Sequence, residues 1–168
     1  DVYKRQRLRN TETRLSTLRA LRFADDTWKD GPIREEVAAA VRALVEEGVD
    51  SSHDELALDF ISSLRLSELE PHVVTWMETG TVGRASAIRA LVEIGCDDVE
   101  LFHAVAATSM PGSELRRRAA TAIASVPSAE AFEAAVELWP SLERGERSAV
   151  LAEVLATREG AERVLLSL

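Results

Sequence analysis

Cysteine, aromatic residues and long apolar runs are what this chain has least of, and each shortage excludes something. The single cysteine, Cys96, rules out an intrachain disulfide. Aromatics are 5% of the residues, so Ala, Leu and Val must supply most of any core. No apolar run approaches the roughly 18 to 20 residues needed to cross a bilayer, and no stretch has the basic, then apolar, then small-residue layout of a signal peptide. No segment sustains period-two alternation, so no strand is predicted. A glycine-rich phosphate loop, a GxSxG elbow and a paired-cysteine metal knuckle are all missing from the sequence.

What is present is helical composition over 168 residues, 46% of them hydrophobic, a length sufficient for one sizeable core. The net charge of −9 is unevenly spread. Residues 1–22 hold seven Lys or Arg against two acids, a local +5, which leaves −14 for residues 23–168. A body this acidic repels phosphate and disfavours nucleic-acid binding.

Helix punctuation is legible. "DGPIREEVAAAVRALVEEG" places Pro32 at the first helical position and Gly48 just past the end. "SHDE" (Ser52 to Glu55) and "SELE" (Ser67 to Glu70) read as capping boxes. Ser128 and Thr81 read as N-caps, and Gly95 and Gly80 as C-terminal stops. About ten helices of roughly 11–17 residues follow from the apolar spacing.

These helices repeat. An anchor followed by apolar or small residues at +4, +7 and +10 fits Arg14 (Leu18, Leu21, Ala24) and Asp54 (Leu58, Ile61, Leu64). It also fits Arg84 (Ile88, Leu91, Ile94) and Arg116 (Ala120, Ile123, Val126), with a weaker fifth at Arg147 (Leu151, Val154, Thr157). The anchors are spaced by 40, 30, 32 and 31 residues, the excess in the first unit falling in "ADDTWKDG" (Ala24 to Gly31). A second helix is expected after each anchor helix, at about 32–47, 68–79, 98–109, 128–139 and 160–168. A pair of about 31 residues cannot bury its apolar face alone, so pairs must stack. The expected fold is all-α: a solenoid of about five stacked antiparallel helix pairs.

"GRASAIRALVEIG" (Gly83 to Gly95) and "ELRRRAATAIASV" (Glu114 to Val126) resemble the Arg-x-x-Ala-x-x-Ala-Leu helix of short HEAT-like repeats. The likeness runs from Arg14 to Leu168. It implies a scaffold or interaction surface, although fold alone does not assign function. The tail "LERGERSAVLAEVLATREGAERVLLSL" (Leu142 to Leu168) further resembles the end of the HEAT segment in bacterial envelope proteins that carry a β-propeller before the repeats and a c-type haem domain after them. That resemblance implies a spacer between redox parts, in the periplasm or cell envelope; without it a cytoplasmic chain is expected. Neither the propeller nor CxxCH is in this sequence, so no haem ligand carries over. Some HEAT-like proteins are enzymes, such as DNA glycosylases and pigment lyases, but a glycosylase wants a basic concave face.

Few residues suggest chemistry. His53, His72 and His103 have no metal-ligand spacing, and Cys96 with His103 lacks an orienting acid or oxyanion site. Trp76 and Trp139 sit near helix ends and read as packing residues. Trp28, in the acidic "DDTWK" loop, is a candidate partner anchor, with folding back over the helix ends as the alternative. Arg116, Arg117 and Arg118 form the one basic run in the acidic body; they are candidate partner contacts, against pairing with nearby acids. Glu35/Glu36 and Asp97/Asp98 suit the positive pole of a helix, and Glu46/Glu47 read as solvated. No catalytic, cofactor or metal role is expected. A basic or mixed-charge protein partner is expected, or other domains of one parent chain.

The opening "DVYKRQ" (Asp1 to Gln6) reads as six translated codons resembling a transposon end used in DNA library preparation. Residues 1–6 are therefore expected to add nothing to the core, and 7–168 to form a single repeat domain cut from a longer protein.

Overall fold

Alanine, leucine and valine at spacings of three and four leave helix as the one way to gather the apolar side chains, and helix is what forms. The computed structural model describes residues 11–24, 28–48, 51–156 and 158–166. Among these there are ten α-helices and no strand. They are α1 (Thr11–Arg22), α2 (Arg34–Glu47), α3 (Ser51–Leu64), α4 (Glu70–Thr79), α5 (Arg84–Ile94), α6 (Val99–Thr108), α7 (Glu114–Ser125), α8 (Ala129–Leu138), α9 (Arg144–Ala156) and α10 (Arg158–Leu166). The chain divides into two compact units, Asp1–Cys96 and Asp97–Leu168. The expectation for residues 1–6 lies outside the described residues.

In unit 1, α3 packs against α1, α2 and α5, and α5 also packs against α4. Leu18, Ile61, Leu64, Met77, Ile88 and Leu91 are fully buried there. Each such side chain contributes about 1.5–3 kcal/mol of transfer free energy, before chain entropy is set against it. In unit 2, α7 packs against α6, α8 and α9, while α6 meets α8 and α9 meets α10. Its large buried side chains are Phe102, Ile123 and Val150, with Ala106, Ala119, Ala120, Ala122 and Ala131 filling the spaces between helices.

The predicted punctuation holds in part. Gly48, Gly80 and Gly95 close α2, α4 and α5 in the left-handed region, with φ of 61°, 73° and 88°. Ser128 caps α8, its hydroxyl accepting from the Ala131 N–H at 3.0 Å. Four expectations need correction. Pro32 is not the first helical residue: the chain turns through Trp28–Gly31, and α2 starts at Arg34 with Ile33 at the cap. Ser52 lies inside α3, which begins at Ser51, and its side chain is outside the described residues. Ser67 makes no box, because burial of Leu66 and Leu69 pulls Ser67–Leu69 into a tight 3₁₀ turn whose cap has no side-chain bond. Thr81 ends α4 rather than starting α5: its N–H donates to the Trp76 carbonyl at 3.1 Å, and Gly83 is the residue before α5.

The repeat phase also slips once. Ile61, Leu91 and Ile123 are buried as the template requires, but Leu151 is 39% exposed, and the inward row of α9 is Glu146, Val150 and Val154. In the first unit of the template Leu21 is half-buried and Ala24 exposed.

Candidate functional site

Helices α8, α9 and α10 of unit 2 enclose an open groove of about 530 Å³. The reason lies in the sequence of α8, which carries two adjacent apolar stripes. Ala131, Ala135 and Leu138 face inward and are buried, while Phe132, Val136 and Trp139 form a second row at i, i+4 and i+7. Helix α9 does the same with Val150 and Val154 inside and Leu151 and Leu155 turned outward. The groove is lined by Phe132, Val136, Trp139, Leu151, Val154 and Val164 together with Ala135, Pro140 and Val150, so no acid, base or nucleophile lines it. Val136 is 56% exposed and Leu155 49%.

Cations brace its aromatic walls. Arg147 stands 5.9 Å over the Trp139 ring and donates to the Trp139 and Pro140 carbonyls, each at 3.1 Å, which closes the end of α8. Arg163 stands 5.8 Å over Phe132. Beside the apolar row, the exposed face of α8 carries Glu130, Glu133 and Glu137 and no basic residue. Glu137 has His103 Nε2 at 3.9 Å.

The N-terminus of α9 is held by a buried carboxylate. Glu146, 3% exposed, accepts from the Glu143 N–H at 2.8 Å and from the Gly112 N–H at 3.0 Å. The first bond is the reach-back half of a capping box; the second ties the loop between α6 and α7 to α9. Gly112 suits this turn because its φ is 74°, a left-handed conformation that other residues adopt with strain.

The residues singled out from sequence fall elsewhere. Trp28 is 8% exposed in unit 1, its ring 5.3 Å from Phe60 by centroids, so it has folded back and offers no surface to a partner. A pocket of about 60 Å³ beside it, lined by Arg22, Lys29, Asp59 and Ser63 among others, has room for only a water or two. Arg116 is 5% exposed, and its guanidinium donates to the Ser141 hydroxyl at 2.8 Å, which removes it as a partner contact. Arg117 and Arg118 remain on the surface, both paired with Glu114 one turn back. The structure thus separates the three arginines rather than presenting them as a patch.

The acid pairs behave mainly as helix-end residues. Asp98 caps α6 by accepting from the Leu101 N–H at 2.9 Å, and Glu35 in the first turn of α2 pairs with Arg42. Glu47 differs from expectation in having a partner, the Arg14 guanidinium of α1. Cys96 is buried, and no group of three or more His, Cys, Asp or Glu converges as a metal site among the described residues. No helix among them is long and apolar enough to cross a membrane. No protein-family model, curated protein or solved structure matches this chain.

Sequence reasoning missed the groove. The available signal was the width of the apolar surface on α8 and α9, two stripes where one buried face needs a single stripe.

Proposed function

We propose that this chain is a non-catalytic helical-repeat scaffold of the HEAT-like kind, working by presenting helix faces to a protein partner or between domains of a longer chain. The recurrence of helix pairs within each unit supports the repeat reading. One observation carries the binding role: the groove of about 530 Å³ in unit 2, apolar throughout, with aliphatic side chains left in solvent. Exposed apolar patches on a folded protein mark interaction surfaces. A catalytic pocket instead combines apolar walls with a few converging polar groups, and this lining supplies none.

The charge balance supports a protein ligand of basic or mixed charge over a nucleic acid. The test is affinity capture with the full chain, followed by reconstitution of the purified partner and calorimetry. A saturable complex of fixed stoichiometry is the expected result. A chain that forms no such complex, and turns over a small molecule instead, overturns the reading.

A further inference from the structure

We infer that the unit 2 groove receives an amphipathic helix of a partner protein, with Lys or Arg along the flank that lies over α8. The inference rests on the scaffold reading and specifies its ligand. From Phe132 through Val136 to Trp139 at the C-cap of α8 is seven residue steps, a rise of about 10 Å, which is the length of the i, i+4, i+7 anchor row that a helix inserts into an apolar groove. Leu151 and Val154 of α9 and Val164 of α10 line the facing side of the trough.

Charge sets which helix fits. Glu130, Glu133 and Glu137 are exposed along the edge of the apolar row, and Glu130 and Glu133 make no ion pair with any described residue. At the two ends of the same row, the Arg147 guanidinium is already engaged by two carbonyls and the Trp139 ring, and Arg163 lies over the Phe132 ring. With both arginines held against the aromatic rings, a ligand helix meets the unpaired Glu130 and Glu133 carboxylates on the solvent edge of α8, where a basic flank is attracted and an acidic one repelled. The same three carboxylates work against phosphate and against anionic lipid surfaces. A second copy of this chain is a poorer occupant. Its most basic helices are α1 and α7, and the large apolar residues they could insert, Leu15 and Leu18 of α1 and Ile123 of α7, are already buried within their own units.

The test uses the full chain and two synthetic helical peptides sharing one leucine row, one flanked by Lys and Arg and the other by Glu, with binding read by fluorescence anisotropy. The basic-flank peptide is expected to bind about tenfold more tightly. Val136→Glu abolishes binding of both without lowering the melting temperature, since Val136 is already in solvent. Glu133→Lys with Glu137→Lys removes the advantage of the basic peptide while leaving the groove apolar. Equal binding of the two peptides, absence of binding by either, or binding that survives Val136→Glu overturns the inference. So does a dimer in sedimentation that Val136→Glu dissolves, which would make a second copy the occupant. A natural partner that the Val136→Glu chain still holds sinks this inference alone; the lack of any partner sinks the scaffold reading.

Discussion

In unit 1, α2 to α5 stop on left-handed residues, Gly48, Arg65, Gly80 and Gly95, and α2, α4 and α5 start without a side-chain cap at Ile33, Leu69 and Gly83. In unit 2 they start on side-chain caps at Asp98, Ser113 and Ser128, and α6 and α7 run out into extended chain at Ser109 and Val126. The interiors differ in the same sense. Unit 1 buries leucine, isoleucine and methionine, whereas unit 2 lines its interior largely with alanine. Small inward residues let α7 sit close to its neighbours. The larger side chains of α8 and α9 are then surplus to that interior, and they line the groove. The contrast teaches that exposure of Val136, Leu151 and Leu155 follows from how unit 2 is packed, and is a property of the whole unit.

The largest effect expected from breaking this contrast is at Glu146, whose carboxylate serves two backbone donors on two segments. Glu146→Ala leaves the Gly112 and Glu143 N–H groups without their acceptor and costs about 3 kcal/mol. Urea unfolding followed by circular dichroism measures the loss, and amide exchange should quicken first at Gly112 and Glu143. An unchanged midpoint would mean that water replaces both bonds and that α9 needs no lock.

Cap exchanges are the next test, with opposite signs in the two units. Ser128→Ala removes the acceptor for the Ala131 N–H and costs about 1 kcal/mol. Arg65, exposed and held at φ 53°, is the one non-glycine residue in the left-handed region among the described residues. Its relief in Arg65→Gly outweighs the added freedom of the unfolded chain, for a net gain of about 0.5 kcal/mol. The same change at Ser109, where φ is −82° and no strain exists, loses stability. Thermal unfolding of the three variants decides the matter: if Arg65→Gly also destabilises, helix termination in unit 1 does not depend on the left-handed turn.

How much of this was readable from sequence depended on whether a feature is decided within a few residues. Helix existence, the glycine stops and the Ser128 cap are local, and they read correctly. Ser67 and Thr81 have the right letters for caps, but the turn at Ser67 follows Leu66 and Leu69 into a core made by other helices, and Thr81 is taken by the closing turn of α4 around Gly80. In "LRRRA" each residue advances by about 100°, and the apolar spacing puts Arg116 in line with Ala120 and Ile123; what the letters did not tell is that a guanidinium on that stripe is buried and held by Ser141 from a later segment. Val150 and Leu151 posed the same problem. Both are apolar and adjacent, and both border the groove, but Val150 is buried at its floor while Leu151 is left in solvent. The groove was hidden because a second apolar stripe reads as part of the first until the neighbours of α8 and α9 are known.

The smallest effect separates two surface carboxylates by the origin of their acidity. Glu68 of unit 1 titrates below the ordinary value of 4.5, first because its own backbone N–H bonds to it and then through Arg42, which reaches from α2 and also holds Glu35. Glu114 of unit 2 also titrates below 4.5, through Arg117 first and Arg118 second, both on its own helix. A depressed folded-state pKa contributes stability above the unfolded value, and the contribution is lost as pH falls through the folded value. Acidification below 4.5 therefore weakens the link from α2 to the Ser67–Leu69 turn in unit 1, but in unit 2 only a pairing within α7. Both groups are well exposed, so salt screens the changes. Carboxyl carbon shifts followed by NMR through an acid titration separate the causes. Arg42→Ala should raise the Glu68 titration part of the way to 4.5, because the backbone bond survives the substitution. Arg117→Ala with Arg118→Ala should return Glu114 to its ordinary value, since no backbone donor is among the causes of its shift. A full return of Glu68 in Arg42→Ala would show that its backbone bond is not made, and the two units would then differ only in which helix supplies the arginine.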